Sequence, residues 1–293
     1  MSETPLHTGE HGRQIDLDLV EQSLKGSKKS LEMLIKRHQN LVYNIVWKMV
    51  LNPQDAEDLS QEILVKAITK LSQFDGRSLF TTWLYRIAVN HVLNCRMQRR
   101  ELLLTSFSAA SDLLESLPDH EYPESEYARL ANTVEDVRIS CTAGMLLCLD
   151  RAQRIVFILG GIFQIDHRLG AEILEISPDN FRQQLSRARK DLYSFMERKC
   201  GLVNKSNPCR CPKKTRAFIE SGWATPHNLQ FNARHIRATL STVPHKNSEL
   251  LTILEEKYEK IFSSHPLQEP LTADKIVDQI LNDGTIRRIF NLG

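Results

Sequence analysis

Three groups of residues in this 293-residue chain have types and spacings that could do chemistry. The first lies in FTTWLYRIAVNHVLNCRMQRR, residues 80–100. Leu84, Ile87, Ala88 and Val92 recur at the three-and-four spacing of a helix with one buried face. The remaining faces carry Trp83, Tyr85, Arg86, Asn90 and His91, and the helix runs out on Arg96, Arg99 and Arg100, where cations complement the negative end of the helix dipole. Rings that accept stacked bases, beside cations that attract phosphate, suit opened nucleic acid. Opening a duplex makes no bond, but unstacking costs about a few kcal/mol, which contacts to the displaced bases must offset.

The second group follows Ser177-Pro178, a capping serine with proline at the first helical position. Phe181, Leu185, Ala188 and Leu192 form one buried stripe, which turns Gln183, Ser186 and Lys190 outward, flanked by Asn180, Arg182 and Arg187. A short helix is predicted over residues 166–176, with Leu169, Ile173 and Leu174 inward. Together these give the layout of a helix-turn-helix with its recognition helix second. Arginine can bond guanine bidentately and glutamine can do so with adenine, which makes Arg182, Gln183 and Ser186 the base readers. Arg187, Arg189 and Lys190 come later along the helix, where phosphate contact is expected.

The third group is Cys200, Cys209 and Cys211, set among Lys205, Arg210, Lys213, Lys214 and Arg216. Three thiolates with His227 or His235 could complete a tetrahedral zinc site, although the C-x-C spacing is not a common finger pattern. A redox-responsive thiol pair and inert cysteines fit the same residues. Cys95, Cys141 and Cys148 fall on helical stripes and read as small core residues.

The elements that must position these groups are helices. Periodic segments read as helix throughout and none alternates as a strand, so the fold class is all-α. Residues 31–49 carry a continuous stripe of Leu31, Leu34, Ile35, His38, Leu41, Val42, Ile45 and Met49. Asn52-Pro53 then ends one helix and starts another. That next helix turns Ala56, Leu59, Ile63, Ala67 and Leu71 inward and Asp55, Asp58 and Glu62 outward. Acidic residues in a first turn also suit the helix dipole, by about 0.3–1 kcal/mol each.

Residues 101–124 are rich in Ser, Asp, Glu and Pro and read as an acidic linker between a domain over 15–100 and a second over 125–199. Residues 200–293 add an extension, with helices predicted over 229–240, 248–262 and 272–281.

Composition is that of a globular chain, 41% hydrophobic and 25% charged. The net charge of +2 decides nothing by itself, since a basic face can be balanced elsewhere. The N-terminus lacks the apolar core of a secretory signal, and no stretch approaches the roughly 18–20 apolar residues of a membrane span. A cytoplasmic protein with no membrane association is expected. No phosphate-binding glycine loop, metal carboxylate cluster or nucleophile with its base is visible, so an enzyme is not expected.

The strings TWLYRIAVN and DAEDLSQEILVKA resemble the bacterial RNA polymerase sigma factors of the extracytoplasmic-function type. The resemblance implies two helical domains, sigma region 2 over 15–100 and region 4 over 125–199, and a protein that directs core RNA polymerase to promoter DNA and helps open it. It implies that Asp55, Asp58 and Glu62 dock on core polymerase. The loop with Phe74, Asp75, Gly76 and Ser78, together with Asn90, would hold the flipped base of the −10 element, with Trp83 at the fork and Arg86 beside them. The helix with Asn180, Arg182, Gln183, Ser186, Arg187 and Lys190 would read the −35 element. An anti-sigma factor is a further expected partner. No cofactor is required by the resemblance, and the extension lies outside it. The competing reading is a conventional helix-turn-helix regulator of double-stranded DNA that does not replace a sigma factor.

Overall fold

The computed structural model describes residues 10–97, 99–223, 258, 260–263, 267, 270 and 273–292. The helices expected over 229–240 and over most of 248–262, with His227 and His235, lie outside the described residues. The described fold is all-α, as read. In chain order the helices are α1 Glu10–Leu24, α2 Lys28–Val50, α3 Pro53–Thr69, α4 Phe80–Asn94, α5 Arg99–Leu103, α6 Phe107–Ser116, α7 Glu124–Leu146, α8 Arg151–Phe157, α9 His167–Leu174, α10 Pro178–Lys199, α11 Cys211–Glu220, α12 Ala273–Asn282 and α13 Gly284–Ile289. The chain divides into two compact units, one of residues 1–98, 158–182 and 267–293, the other of 99–157 and 183–266.

In the first unit, local chemistry sets the helix ends. The Ser27 side chain accepts from the Ser30 N–H and starts α2. Asn52 Oδ1 accepts from the Asp55 N–H at 3.2 Å, with Pro53 at the first position of α3. Asp16 of α1 is buried and fastens α1 to α2 by accepting from Arg37 Nε at 2.8 Å and lying 3.0 Å from His38 Nε2.

The predicted stripe of α2 is buried, but so is every residue from 41 to 50. The added cover comes from the end of the chain. α12 packs on α2 and α3 through Ile276, Val277, Ile280 and Leu281, and α13 packs on α3. Lys48 lies fully buried with no hydrogen-bond partner for Nζ, and burial holds its ammonium pKa down to about 7.

In the second unit the stretch 101–124, read as an acidic linker, is not open chain throughout. Much of that stretch is helix, in α5 and α6, and Leu104, Ala110 and Leu117 are buried. Glu101, counted among the acidic residues of a linker, has no exposure at all: it accepts from Arg151 at 2.9 and 2.6 Å and from Arg154 Nη1 at 2.7 Å. Arg154 also donates to the carbonyls of Leu146, Leu147 and Leu149, so one buried guanidinium satisfies the end of α7. Composition pointed to solvent because the partners of Glu101 lie some fifty residues further along the chain. The domain expected over 125–199 is likewise not one unit, since residues 158–182 cluster with the first.

Candidate nucleic-acid interface

α4 is held by rings before it holds anything else. Phe74, Phe80 and Trp83 form a three-ring cluster with centroids 5.4–5.6 Å apart, and His38 lies 5.0 Å from Phe80. Phe74 and Phe80 are buried, whereas Trp83 is only half-buried. Gly76 takes φ +72° in the preceding loop, a left-handed conformation that glycine adopts without strain. Its carbonyl accepts from Arg13 at 3.2 Å. Asp75 is exposed and bonded to Arg77, which holds its carboxyl below the usual range. Ser78 is half-buried, and Asn90 is exposed at the outer end of the same region.

Two residues of α4 depart from the reading of its faces. Tyr85, expected on an open face, is buried at 1% exposure, and Ile87, expected inside, is half-buried. The helix meets neighbours on more than one side, which shifts the buried sector. Arg86 is engaged by α9: Nη2 donates to the Glu172 carbonyl at 3.2 Å, and the carboxylates of Glu172 and Glu175 lie 3.6 and 3.5 Å away. Nothing in the spacing of α4 announced those partners.

On α3, Asp58 and Glu62 are exposed and Asp55 is half-buried. Asp58 accepts from Gln54 at 3.4 Å, and Glu62 lies 3.0 Å from His91 Nε2 of α4. The acidic side of α3 and the outer side of α4 are therefore linked by a side-chain pair.

Helices form on both sides of the Ser177-Pro178 start, as the caps lead one to expect. α9 is capped by Asp166, whose side chain accepts from the Arg168 N–H at 2.8 Å. It ends on Glu175 at φ +55°, and Ser177 Oγ accepts from the Asn180 N–H at 3.2 Å to open α10. Gly170 lies against the Phe181 ring so closely that a Cβ there would come within 2.4 Å of it. Phe181 itself is fully buried. Ala188 and Leu192 are also fully buried, and Leu185 is half-buried. Asn180, Arg182, Gln183, Ser186, Arg187 and Lys190 are all exposed.

Cys200 is buried at the end of α10, and Cys209 and Cys211 are half-buried. Cys141, read as a core residue, is buried enough to push its thiol pKa well up, within electrostatic reach of all three, and α7, which carries it, packs along α11. No sequence spacing links Cys141 to them.

Comparison with known proteins then bears on these elements. The sigma-70 region 2 family model matches residues 34–101, the span that contains most of α2, all of α3 and α4 and their connecting loop. The chain is 38% identical to the RNA polymerase sigma-H factor of Pseudomonas aeruginosa over 79 residues, 27% of this chain and 41% of that protein. It is 36% identical over 116 residues to the ECF RNA polymerase sigma-E factor of Haemophilus influenzae, 38% of this chain and 61% of that one.

Residues 34–101 are similar to sigma-70 region 2, and the relatives matched are RNA polymerase sigma factors.

A longer match, 26% identical over 180 residues, runs to SigW of Bacillus subtilis and takes in 59% of this chain and 92% of that protein. The first two relatives are matched over less than two thirds of their own length. Among solved structures, CnrH in its complex with the cytosolic domain of CnrY matches 62% of this chain at 23% identity, with a TM-score of 0.42. The homologues are sigma factors, which are not enzymes. Among the described residues, no helix is long and apolar enough to cross a membrane.

Proposed function

We propose that this sigma-type chain is a dissociable specificity subunit that binds core RNA polymerase, brings it to particular promoters and helps open the DNA. The observation that carries the reading is the region 2 match over residues 34–101, which takes in both the acidic side of α3 and the ring-bearing α4. A regulator that only binds duplex DNA has no use for that pair.

In this reading Asp58 and Glu62, with Asp55 beside them, meet the polymerase. Phe74, Asp75, Gly76, Ser78 and Asn90 surround the displaced −10 base. Trp83 offers its open edge to the fork, and its half-burial against two buried rings gives a rigid platform for stacking. Arg86 would have to exchange the carboxylates of Glu172 and Glu175 for phosphate. On α10, Arg182, Gln183 and Ser186 read −35 base edges, while Asn180, Arg187 and Lys190 set register on the backbone. The protein acts in the cytoplasm, where its polymerase is, and an anti-sigma factor is a partner of the same reading.

Run-off transcription with bacterial core polymerase, with and without the full chain, on a genomic fragment library tests this. Promoter-specific transcripts that depend on the chain support it. Tight duplex binding with no transcripts would instead favour a conventional helix-turn-helix regulator. Replacing Asp58 and Glu62 together by Lys should weaken polymerase binding while leaving the helical content unchanged.

A further inference from the structure

Arg86 of α4 meets the acidic end of α9 inside the first unit, where the two helices pack together. Its Nη2 donates to the Glu172 carbonyl at 3.2 Å and lies 3.6 Å from the Glu172 carboxylate, while Nε lies 3.5 Å from the Glu175 carboxylate. A cation at the last carbonyls of a helix also complements its dipole. Glu175 ends α9 at φ +55°. Helices commonly close on such a left-handed residue, usually a glycine, which takes the conformation without strain. Here the position carries a carboxylate that reaches Arg86 instead.

In the proposed function α4 meets the −10 element, and the first turns of α10 read the −35 element. Elements so numbered lie about 25 base pairs apart, roughly 85 Å along a duplex that rises 3.4 Å per step. Arg182 follows Glu175 by seven residues, and a chain of that length spans at most about 25 Å even when fully extended. With Glu175 against Arg86, the −35 readers are therefore held too near α4 for both elements to be reached at once. The same contact occupies the cation expected to meet phosphate beside the −10 site.

We propose that Glu172 and Glu175 form an autoinhibitory clasp on Arg86, which closes the free chain to promoter DNA and must open before α4 and α10 can reach their separate elements. The inference rests on the promoter reading above. The two carboxylates stand where phosphate oxygens would, so binding exchanges the contacts of Arg86 rather than losing them. The clasp is also weak enough to open. The Glu172 and Glu175 side chains are 50% and 62% exposed, and ion pairs so placed contribute little. In the closed form Arg86 Nε is shut off from solvent and makes no hydrogen bond, a deficit that DNA or water can fill once α9 leaves.

The experiment uses the full chain without polymerase, so it fails separately from the run-off assay. Affinity for a fluorescein-labelled single-stranded oligonucleotide of mixed sequence is read by fluorescence anisotropy. Glu172→Gln with Glu175→Gln should bind about two- to thirtyfold more tightly than the native chain, the range that two partly exposed ion pairs supply. Asp18→Asn with Glu21→Gln removes the same charge from exposed positions on α1 and should change binding by less than about twofold, since exposed charges at a distance are screened. Hydrogen exchange gives a readout that needs no nucleic acid. The Glu172 and Glu175 pair of substitutions should speed exchange in α9, and the same pair should add nothing further in an Arg86→Ala background. Equal tightening by both charge-removing variants, no tightening by the Glu172 and Glu175 pair, or an exchange increase undiminished in Arg86→Ala would overturn the clasp. A native chain that gives transcripts in the run-off assay while its variants show none of these changes would keep the promoter role and lose the clasp.

Discussion

The two helices that face nucleic acid in the proposed function are built in opposite ways. α4 works from the inside: Phe74 and Phe80 are buried, Trp83 leans on both, and only one edge is left open. α10 works from the outside: its stripe of Phe181, Ala188 and Leu192 is sealed, and each of its six proposed DNA-facing residues is exposed. The contrast follows from the ligands. An unstacked base needs a rigid ring at a fixed height, whereas duplex base edges need long polar side chains projected into a groove. On α4, stability and function therefore share side chains, and on α10 they are separated.

The comparison is open to attack in order of effect. Phe80→Ala should cost about 3–5 kcal/mol in denaturant unfolding, because it empties the centre of the ring cluster. A cost below about 1 kcal/mol would show that the rings are surface ornament and that α4 resembles α10 after all.

Lys48→Met, in the same unit as α4, should act in the other direction and raise stability by about 2–4 kcal/mol near neutral pH. The sign follows from the folded pKa of about 7, which lies below the ordinary lysine value of 10.5. Between those values the unfolded chain holds the extra proton, so native stability falls as pH drops from 10.5 to 7 and stays at its lower level below that. Unfolding curves across this window should show the slope in the native chain and lose it in the variant.

Gly170→Ala tests the close packing at the start of α10. The added Cβ must displace the Phe181 ring, for an expected cost of about 1–3 kcal/mol and a lowered melting temperature. Arg182→Ala should leave stability within about 0.5 kcal/mol of native, but relax preference at one −35 base pair by about 1–3 kcal/mol in competition binding. Lys190→Ala should be milder still. It should weaken binding to all sequences alike and reduce the slope of log affinity against log salt by about 0.9. Sequence-selective loss from Lys190→Ala would undo the division of that face.

Helix starts were legible because their causes are local: Asn52-Pro53 and Ser177-Pro178 cap within three residues of themselves, and the side chains do so in the structure. The exposed face of α10 was legible for a similar reason, since Phe181, Ala188 and Leu192 repeat at helical spacing and one buried stripe fixes the opposite side. Tyr85 escaped that logic because α4 is enclosed on more than one side, and a periodicity argument assumes a single core. The engagement of Arg86 by Glu172 and Glu175 and the burial of Glu101 between Arg151 and Arg154 join residues at least fifty positions apart. By itself, then, the sequence determined the helical class, the caps and the amphipathic faces, which depend on near neighbours along the chain. Only the tertiary structure decided which charges are paired and which rings are enclosed, because both depend on distance through space.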